Sequence, residues 1–246
     1  MKSETQNFTN EIDQFATNSL FERTKVYVPA GQTIITKSKE DEIFRIIHSV
    51  GRTFISVQEK HFEIIQEYVH TNNIIENLCA PGFFCEILDL LDYNTRDFLL
   101  EPSEEFLQDI HYNCVHMLDF VCTKNTFLPQ NTDLIEKINR GDERFILDES
   151  FDDTMFCISE QDKMVSCSYY KPNSGVFENT CSLQVFTRFQ HRGKGYGKMT
   201  ASAATQNIIS NNKMALWACQ VENMPSRKIA ESLGYILIGG ELRIVR

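Results

Sequence analysis

Thr180-Cys181-Ser182-Leu183-Gln184-Val185-Phe186-Thr187-Arg188-Phe189-Gln190-His191-Arg192-Gly193-Lys194-Gly195-Tyr196-Gly197 is the stretch on which the reading of this chain turns. Its first part, Cys181 to Phe186, is strand-like, with Leu183, Val185 and Phe186. A short polar link leads to the alternating glycines 193, 195 and 197. From Lys198 to about Ile209 the residues favour a helix, with Ala201, Ala203 and Ala204, and with Met199, Ile208 and Ile209 for packing. Strand, glycine loop and helix start, in that order, build an anion site. The first N–H groups of a helix lack internal acceptors and its dipole places partial positive charge there. Glycine lets a phosphate approach the backbone with no Cβ in the way.

Two familiar phosphate loops do not fit. A Walker loop needs a Gly-Lys-Ser/Thr end, whereas Gly197-Lys198 is followed by Met199 and Arg192 stands where its first glycine belongs. A dinucleotide fingerprint needs Gly-x-Gly-x-x-Gly on a first βα turn, and here the glycines alternate near the end of the chain. What the spacing fits is Arg-x-x-Gly-x-Gly, as Arg192, Gly195 and Gly197.

With this motif the last third of the chain resembles the GNAT superfamily of N-acetyltransferases. The likeness continues past the loop. Met214 to Cys219 reads as the next parallel strand. Asn223-Met224-Pro225-Ser226 then opens a helix that closes at Leu233-Gly234-Tyr235, similar to the family's Asn-x-x-Ser/Ala…Leu-Gly-Phe/Tyr segment. The resemblance spans about residues 150–246, and Trp217-x-Cys219 is similar to a bacterial subgroup that includes antibiotic-resistance acetyltransferases.

The resemblance implies a mixed α+β or α/β fold: a mostly antiparallel sheet with a central splayed pair of parallel strands, flanked by helices. It implies acetyl-CoA as cosubstrate and an amine as acceptor. Gly193, Gly195 and Gly197 would offer amides to the pyrophosphate, with Arg192, Lys194, Tyr196 and Lys198 around it. Val185, Phe186 and Thr187 would bond pantetheine and the acyl carbonyl through their backbone, which helps a tetrahedral intermediate form. Asn223 would bond the pantetheine arm and Ser226 would stand near the phosphates, though Asn and Ser also serve as plain helix caps.

Removing the amine's proton calls for a base. The position at which some relatives carry Glu falls at Cys181, so Glu178, the nearest upstream carboxylate, is the candidate, ahead of Asp162, Glu160, Asp153 and Asp152. The family's Tyr, general acid to the leaving thiolate, is replaced by Ala230. Cys181 as a nucleophile lacks a neighbouring His, so direct transfer is the expected route.

Composition sets the frame. The 246 residues allow one large or two small domains, with no apolar run long enough to span a membrane and no secretory leader behind the polar opening Met1-Lys2-Ser3-Glu4. Eight cysteines (79, 85, 114, 122, 157, 167, 181, 219) form no C-x-x-C pair, which points to reduced thiols, a cytoplasmic protein and no metal. Residues 1–130 carry 10 Lys and Arg against 20 Asp and Glu, the whole net charge of −10. That disfavours nucleic acid as a partner; the negative surface either concentrates a cationic amine or simply solvates the fold.

The first half offers helices and a few strands. Thr33 to Thr36 and Thr53 to Val57 read as strands, and Phe62 to Val69 and Phe84 to Leu91 as helices. Glu40 to Val50 reads as a helix through Ile43, Phe44, Ile46 and Ile47. Another is expected from Pro102 through Phe106, Ile110, Cys114, Met117 and Phe120. His111, Cys114 and His116 on it are read as core rather than as metal ligands. The cluster Pro129 to Asp133 marks a boundary between an acidic, α-rich region, 1–130, and an acyl-CoA-binding domain, 131–246. In the second half, strands at Thr154–Ser159 and Met164–Tyr170 turn at Gln161-Asp162, and Gly239-Gly240 is expected to be a hairpin turn.

The expectation is an acetyl-CoA-dependent N-acyltransferase that transfers directly to a primary amine of a small molecule. The alternative is a catalytically silent CoA-binding or sensing module with an acidic interaction domain.

Overall fold

The computed structural model describes residues 2–38, 42–93, 114–145, 147 and 149–245. Among these residues it is a mixed α/β fold with a mostly antiparallel sheet and six α-helices. Two compact units make it up: residues 1–118, 219–223 and 238–246, and residues 119–218 and 224–237. The first unit thus ends before the boundary expected at 130 and takes in the last strand as well, because that strand finds its ladder partner there.

In the first unit, β1 (Thr33–Lys37) runs parallel to β3 (Arg52–Val57), and β2 (Glu42–Ser49) lies antiparallel to β3 and to the end of β10 (Ile236–Val245). Helices α2 (Phe62–Thr71), α3 (Ile74–Leu78) and α4 (Phe83–Leu90) supply Ile65, Leu78, Phe83 and Ile87 to a core with Ile43, Phe44, Ile46 and Ile55. A second cluster joins Ile47 and Phe54 to Leu20 of α1 (Lys2–Thr24) and to Val28.

Two expected helices are strands. Residues 42–49 form β2, buried on both faces, and a doubly buried strand shows a near-continuous apolar run instead of alternation. Its Ile-Phe-x-Ile-Ile spacing suits a helical face equally well, and tertiary context decides. Likewise Cys114–Cys122 is β4, with Leu118, Phe120, Val121 and Cys122 all buried. The expected start of that helix, including His111, lies outside the described residues.

Gly239-Gly240 is not a turn either. Both sit inside β10, where a Cβ on Gly239 would stand 1.9 Å from the His48 carbonyl oxygen and one on Gly240 2.6 Å from that of Met117. They are glycines because another backbone passes too close for a side chain.

Glu241 follows them. Its buried carboxylate accepts from Arg23 and, at 2.7 Å, from Arg45 Nε. Burial pushes this carboxyl up, but the two arginines outweigh it and the net shift is downward. Its contribution is therefore present above the ordinary Glu range and is lost as pH falls through the lowered value. Glu241→Ala leaves two guanidiniums without their counter-charge, at a cost of about 3–5 kcal/mol in urea denaturation. The gap from wild type is expected to close as pH falls through that lowered value.

In the second unit, β5 (Glu136–Asn139), β6 (Thr154–Glu160), β7 (Lys163–Pro172) and β8 (Thr180–Thr187) form an antiparallel meander. Gln161 and Asp162, at φ +52° and +58°, make the two-residue turn between β6 and β7. Helix α5 (Tyr196–Ser210) crosses one face on its way to β9 (Met214–Gln220), which runs parallel to β8. On the other face Ile138, Met155, Cys157 and Cys167 pack under Phe145 and Leu147. Helix α6 (Met224–Ser232) follows. No helix among the described residues is long and apolar enough to cross a membrane.

Candidate functional site

Where β8 gives way to α5, Gly193 and Gly195 hold φ +80° and +81°, a region that costs other L-residues about 1–2 kcal/mol. A Cβ on either would meet nothing within 4 Å, so both border open space. Gly195 is the N-cap of α5 and no side chain caps the helix. The first bond of the helix runs from Met199 N to Gly195 O (3.1 Å), which leaves the amides of Tyr196, Gly197 and Lys198 without helical acceptors.

Gly197 is a glycine for a different reason. A Cβ there would lie 3.0 Å from Thr187 Oγ1 and 3.6 Å from Val185 Cγ1. Its lack of a side chain lets the first turn of α5 press onto the end of β8.

That contact rests on a buried set of hydroxyls. Ser166 Oγ donates to the Phe186 carbonyl (3.0 Å) and lies 2.9 Å from Thr187 Oγ1, while Ser168 Oγ donates to Thr200 Oγ1 (2.8 Å). Each serine is fully buried, so their hydroxyls need these partners. The residues show in the sequence only as two serines at period two in an apolar strand.

The pairing of β8 with β9 is short. Register pairs run from Thr180↔Met214 to Ser182↔Leu216 and stop, although both strands continue. Arg188 N donates to Val165 O, and this fixes which residues of β8 turn their backbone groups toward β7: 182, 184, 186 and 188. Asn179 O accepts from Met214 N, which agrees: the odd-numbered residues face β9. Past the last pair, Val185 and Thr187 therefore direct their backbone groups to an edge that β9 has left. Phe186 directs its own at β7, and its side chain is exposed.

The other expected residues fall as follows. Arg192 Nε donates to Thr187 O (3.3 Å) and its guanidinium lies over Phe189, bracing the loop. Lys194 and the Tyr196 hydroxyl both reach Glu160. Lys198 is half-buried in the first turn of α5. Ser226 Oγ accepts the Trp217 indole N–H (3.0 Å). Asn223 stands exposed before α6, in the first compact unit.

Glu178 is exposed in the turn that follows a 3₁₀ helix, just ahead of β8. Cys181 is buried and burial pushes its thiol up, which is the wrong direction for a nucleophile. Ala230 is fully buried. Tyr235 is buried too, its hydroxyl 2.7 Å from Thr205 Oγ1 and pushed up by burial, so it does not replace the missing acid.

Residues 151–240 match the family model described as GNAT acetyltransferase. A search of curated proteins finds no match. Among solved structures, a GNAT-family acetyltransferase from Colwellia psychrerythraea aligns at 12% identity and a TM-score of 0.35, covering 37% of this chain and 34% of its own. A GCN5-related N-acetyltransferase from Kribbella flavida aligns at 13% and 0.39, covering 57% and 63%. A GCN5-related N-acetyltransferase-like protein from Streptococcus suis aligns at 16% and 0.39, covering 60% and 69%. The chain thus spans about a third of the first of these and under two thirds of the second.

Proposed function

On the match of residues 151–240 to the GNAT acetyltransferase family model, we propose that the chain is an acetyl-CoA-dependent N-acyltransferase that acts directly on a primary amine of a small molecule. One observation carries this. The strand that loses its ladder partner after Ser182 leads into a loop ending at a helix start, where the amides of Tyr196, Gly197 and Lys198 have no partner among the described residues. A cosubstrate with an amide-bearing arm and a diphosphate matches both in that order.

Gly195, Tyr196, Gly197 and Lys198 would take the diphosphate through backbone N–H groups, with Lys194 and Arg192 adding positive charge. Val185 and Thr187 would pair with the arm, which resolves an otherwise exposed strand edge. A backbone N–H from this edge at the thioester oxygen stabilises the charge that forms there as the amine attacks. The C–S bond then breaks and the thiolate leaves. With Ala230 in place of a tyrosine, it leaves unprotonated, as a thiol of pKa about 8.5 permits near neutrality. Glu178 is the candidate acceptor of the amine's proton, directly or through water. The net negative charge of residues 1–130 favours a cationic acceptor.

The second reading, a CoA-binding module without turnover, draws on Ala230 and on the engagement of Tyr235 with Thr205. Thiol release from acetyl-CoA in the presence of a panel of amines separates the two. Amine-dependent release is the expected result. Calorimetric binding of CoA with no turnover on any amine would establish the silent module instead.

A further inference from the structure

We propose that Glu160, at the end of β6, is the positioning residue of the glycine loop, its carboxylate gathering Lys194, Tyr196 and His191 so that the free amides keep one arrangement. The Tyr196 hydroxyl donates to Glu160 Oε1 at 2.6 Å, and Lys194 Nζ donates to the same oxygen at 3.2 Å. His191 Nδ1, a buried atom with no hydrogen bond of its own, lies 3.4 Å from Oε2. Next to this, Arg188 bonds the start of β7 twice, through N to Val165 O (2.9 Å) and through Nε to Met164 O (2.7 Å). The β6–β7 hairpin thus holds residues 188–196 at four points. A register shift between Ile158 and Ser159 falls just before Glu160, and such irregularities re-aim the residues that follow.

The loop needs a tether because of its own glycines. Gly193 and Gly195 border open space, and glycine has the most backbone freedom to lose on ordering. Without outside contacts the amides at 195–198 would sample many directions. Glu160 acts on either side of Gly195, on Lys194 before it and on Tyr196, the first helical residue, after it. A carboxylate beside an anion site works against the anion by charge alone, so attraction does not account for its placement. The Tyr196 and Lys194 contacts hold its carboxyl below the usual range, and it stays ionised at neutral pH.

This inference rests on the acetyl-CoA reading for one of its two readouts only. The first is hydrogen exchange at the hydrogen-bonded amides of His191, Arg192 and Met199 in unliganded protein, for wild type, Glu160→Ala and Glu160→Gln. The second is CoA affinity by calorimetry on the same proteins. Glu160→Ala is expected to speed loop exchange and to weaken CoA binding by about tenfold each, the scale of one charge-assisted hydrogen bond. Glu160→Gln keeps an oxygen for the Tyr196 hydroxyl and should recover most of both. Exchange unchanged in Glu160→Ala overturns the proposal, and so does tighter CoA binding in both variants, which would mark the carboxylate as a mere repulsive neighbour. Faster exchange in a protein whose wild type binds no CoA supports the tether and overturns the ligand reading.

Discussion

Gly195→Asp raises the dissociation constant for CoA by about a hundredfold, while Gly195→Asn, of the same shape, costs far less. Three features of the loop lead to this expectation. Gly195 caps α5 at φ +81°, a conformation that Asp and Asn tolerate better than other side chains. A Cβ there meets nothing within 4 Å, so the new side chain enters open space and the fold survives. The amides of Tyr196, Gly197 and Lys198, which have no helical acceptors, follow Gly195 directly in the chain, so the new charge enters beside them. Like charges about 4 Å apart repel by roughly 1–4 kcal/mol between water and a protein-surface dielectric, or about fivefold to about a thousandfold in affinity. Because Asn and Asp differ only in charge, their ratio isolates this repulsion from the backbone cost. Calorimetry with CoA at two salt concentrations measures it, and screening should shrink the ratio at high salt. Equal affinity for the two variants would mean that no diphosphate rests on these amides.

The second unit was legible in the sequence to a degree that the first was not, and the difference is physical. At 154–159, 164–170 and 181–186 the strands are bounded by turn residues, and helix α5 follows a glycine cap. These local signals agree with the fold around them. Strand β2 has apolar side chains on both faces, so its pattern is that of burial and not of period. Gly239-Gly240 carries the composition of a turn, but its glycines answer to the His48 and Met117 carbonyls, which no local pattern shows. In the site, the loop could be read because three glycines and a helix start lie within a few residues. The Ser166–Thr187 and Ser168–Thr200 bonds join residues more than twenty positions apart, and Glu160 meets Tyr196 across thirty-six. Such partnerships exist only once the sheet has been assembled. The departure of β9 from β8 belongs to the same class: strand propensity marks where strands run and not where pairing ends.

Within the second unit, the largest loss of stability should come from a glycine outside the loop. Gly234→Ala is expected to destabilise the second unit by about 2–5 kcal/mol, the sum of a left-handed residue and an overpacked contact. Gly234 closes α6 at φ +83°. Its N–H donates to Glu231 O (3.0 Å) while that of Tyr235 donates to Ala230 O (3.1 Å), the paired bonds of a Schellman cap. A Cβ on Gly234 would stand 1.8 Å from the Thr126 carbonyl oxygen and 2.8 Å from its carbon, so backbone would have to move. The neighbouring segment is fixed in turn by Leu128 N donating to Leu233 O (2.9 Å), and it cannot retreat without giving up that bond. Gly193→Ala is the matched control. It carries nearly the same φ, +80°, with nothing within 4 Å of the added carbon, and should lose only the conformational part, about 1–2 kcal/mol. The chain's single tryptophan makes the comparison direct: Trp217 packs edge-on against Tyr235, ring centroids 5.4 Å apart, immediately beyond the cap. Urea titration followed by its fluorescence reports on this unit for both variants. Equal midpoints for Gly234→Ala and Gly193→Ala would show that the Thr126 carbonyl yields freely, and the close backbone approach would then contribute nothing to holding α6 against the sheet.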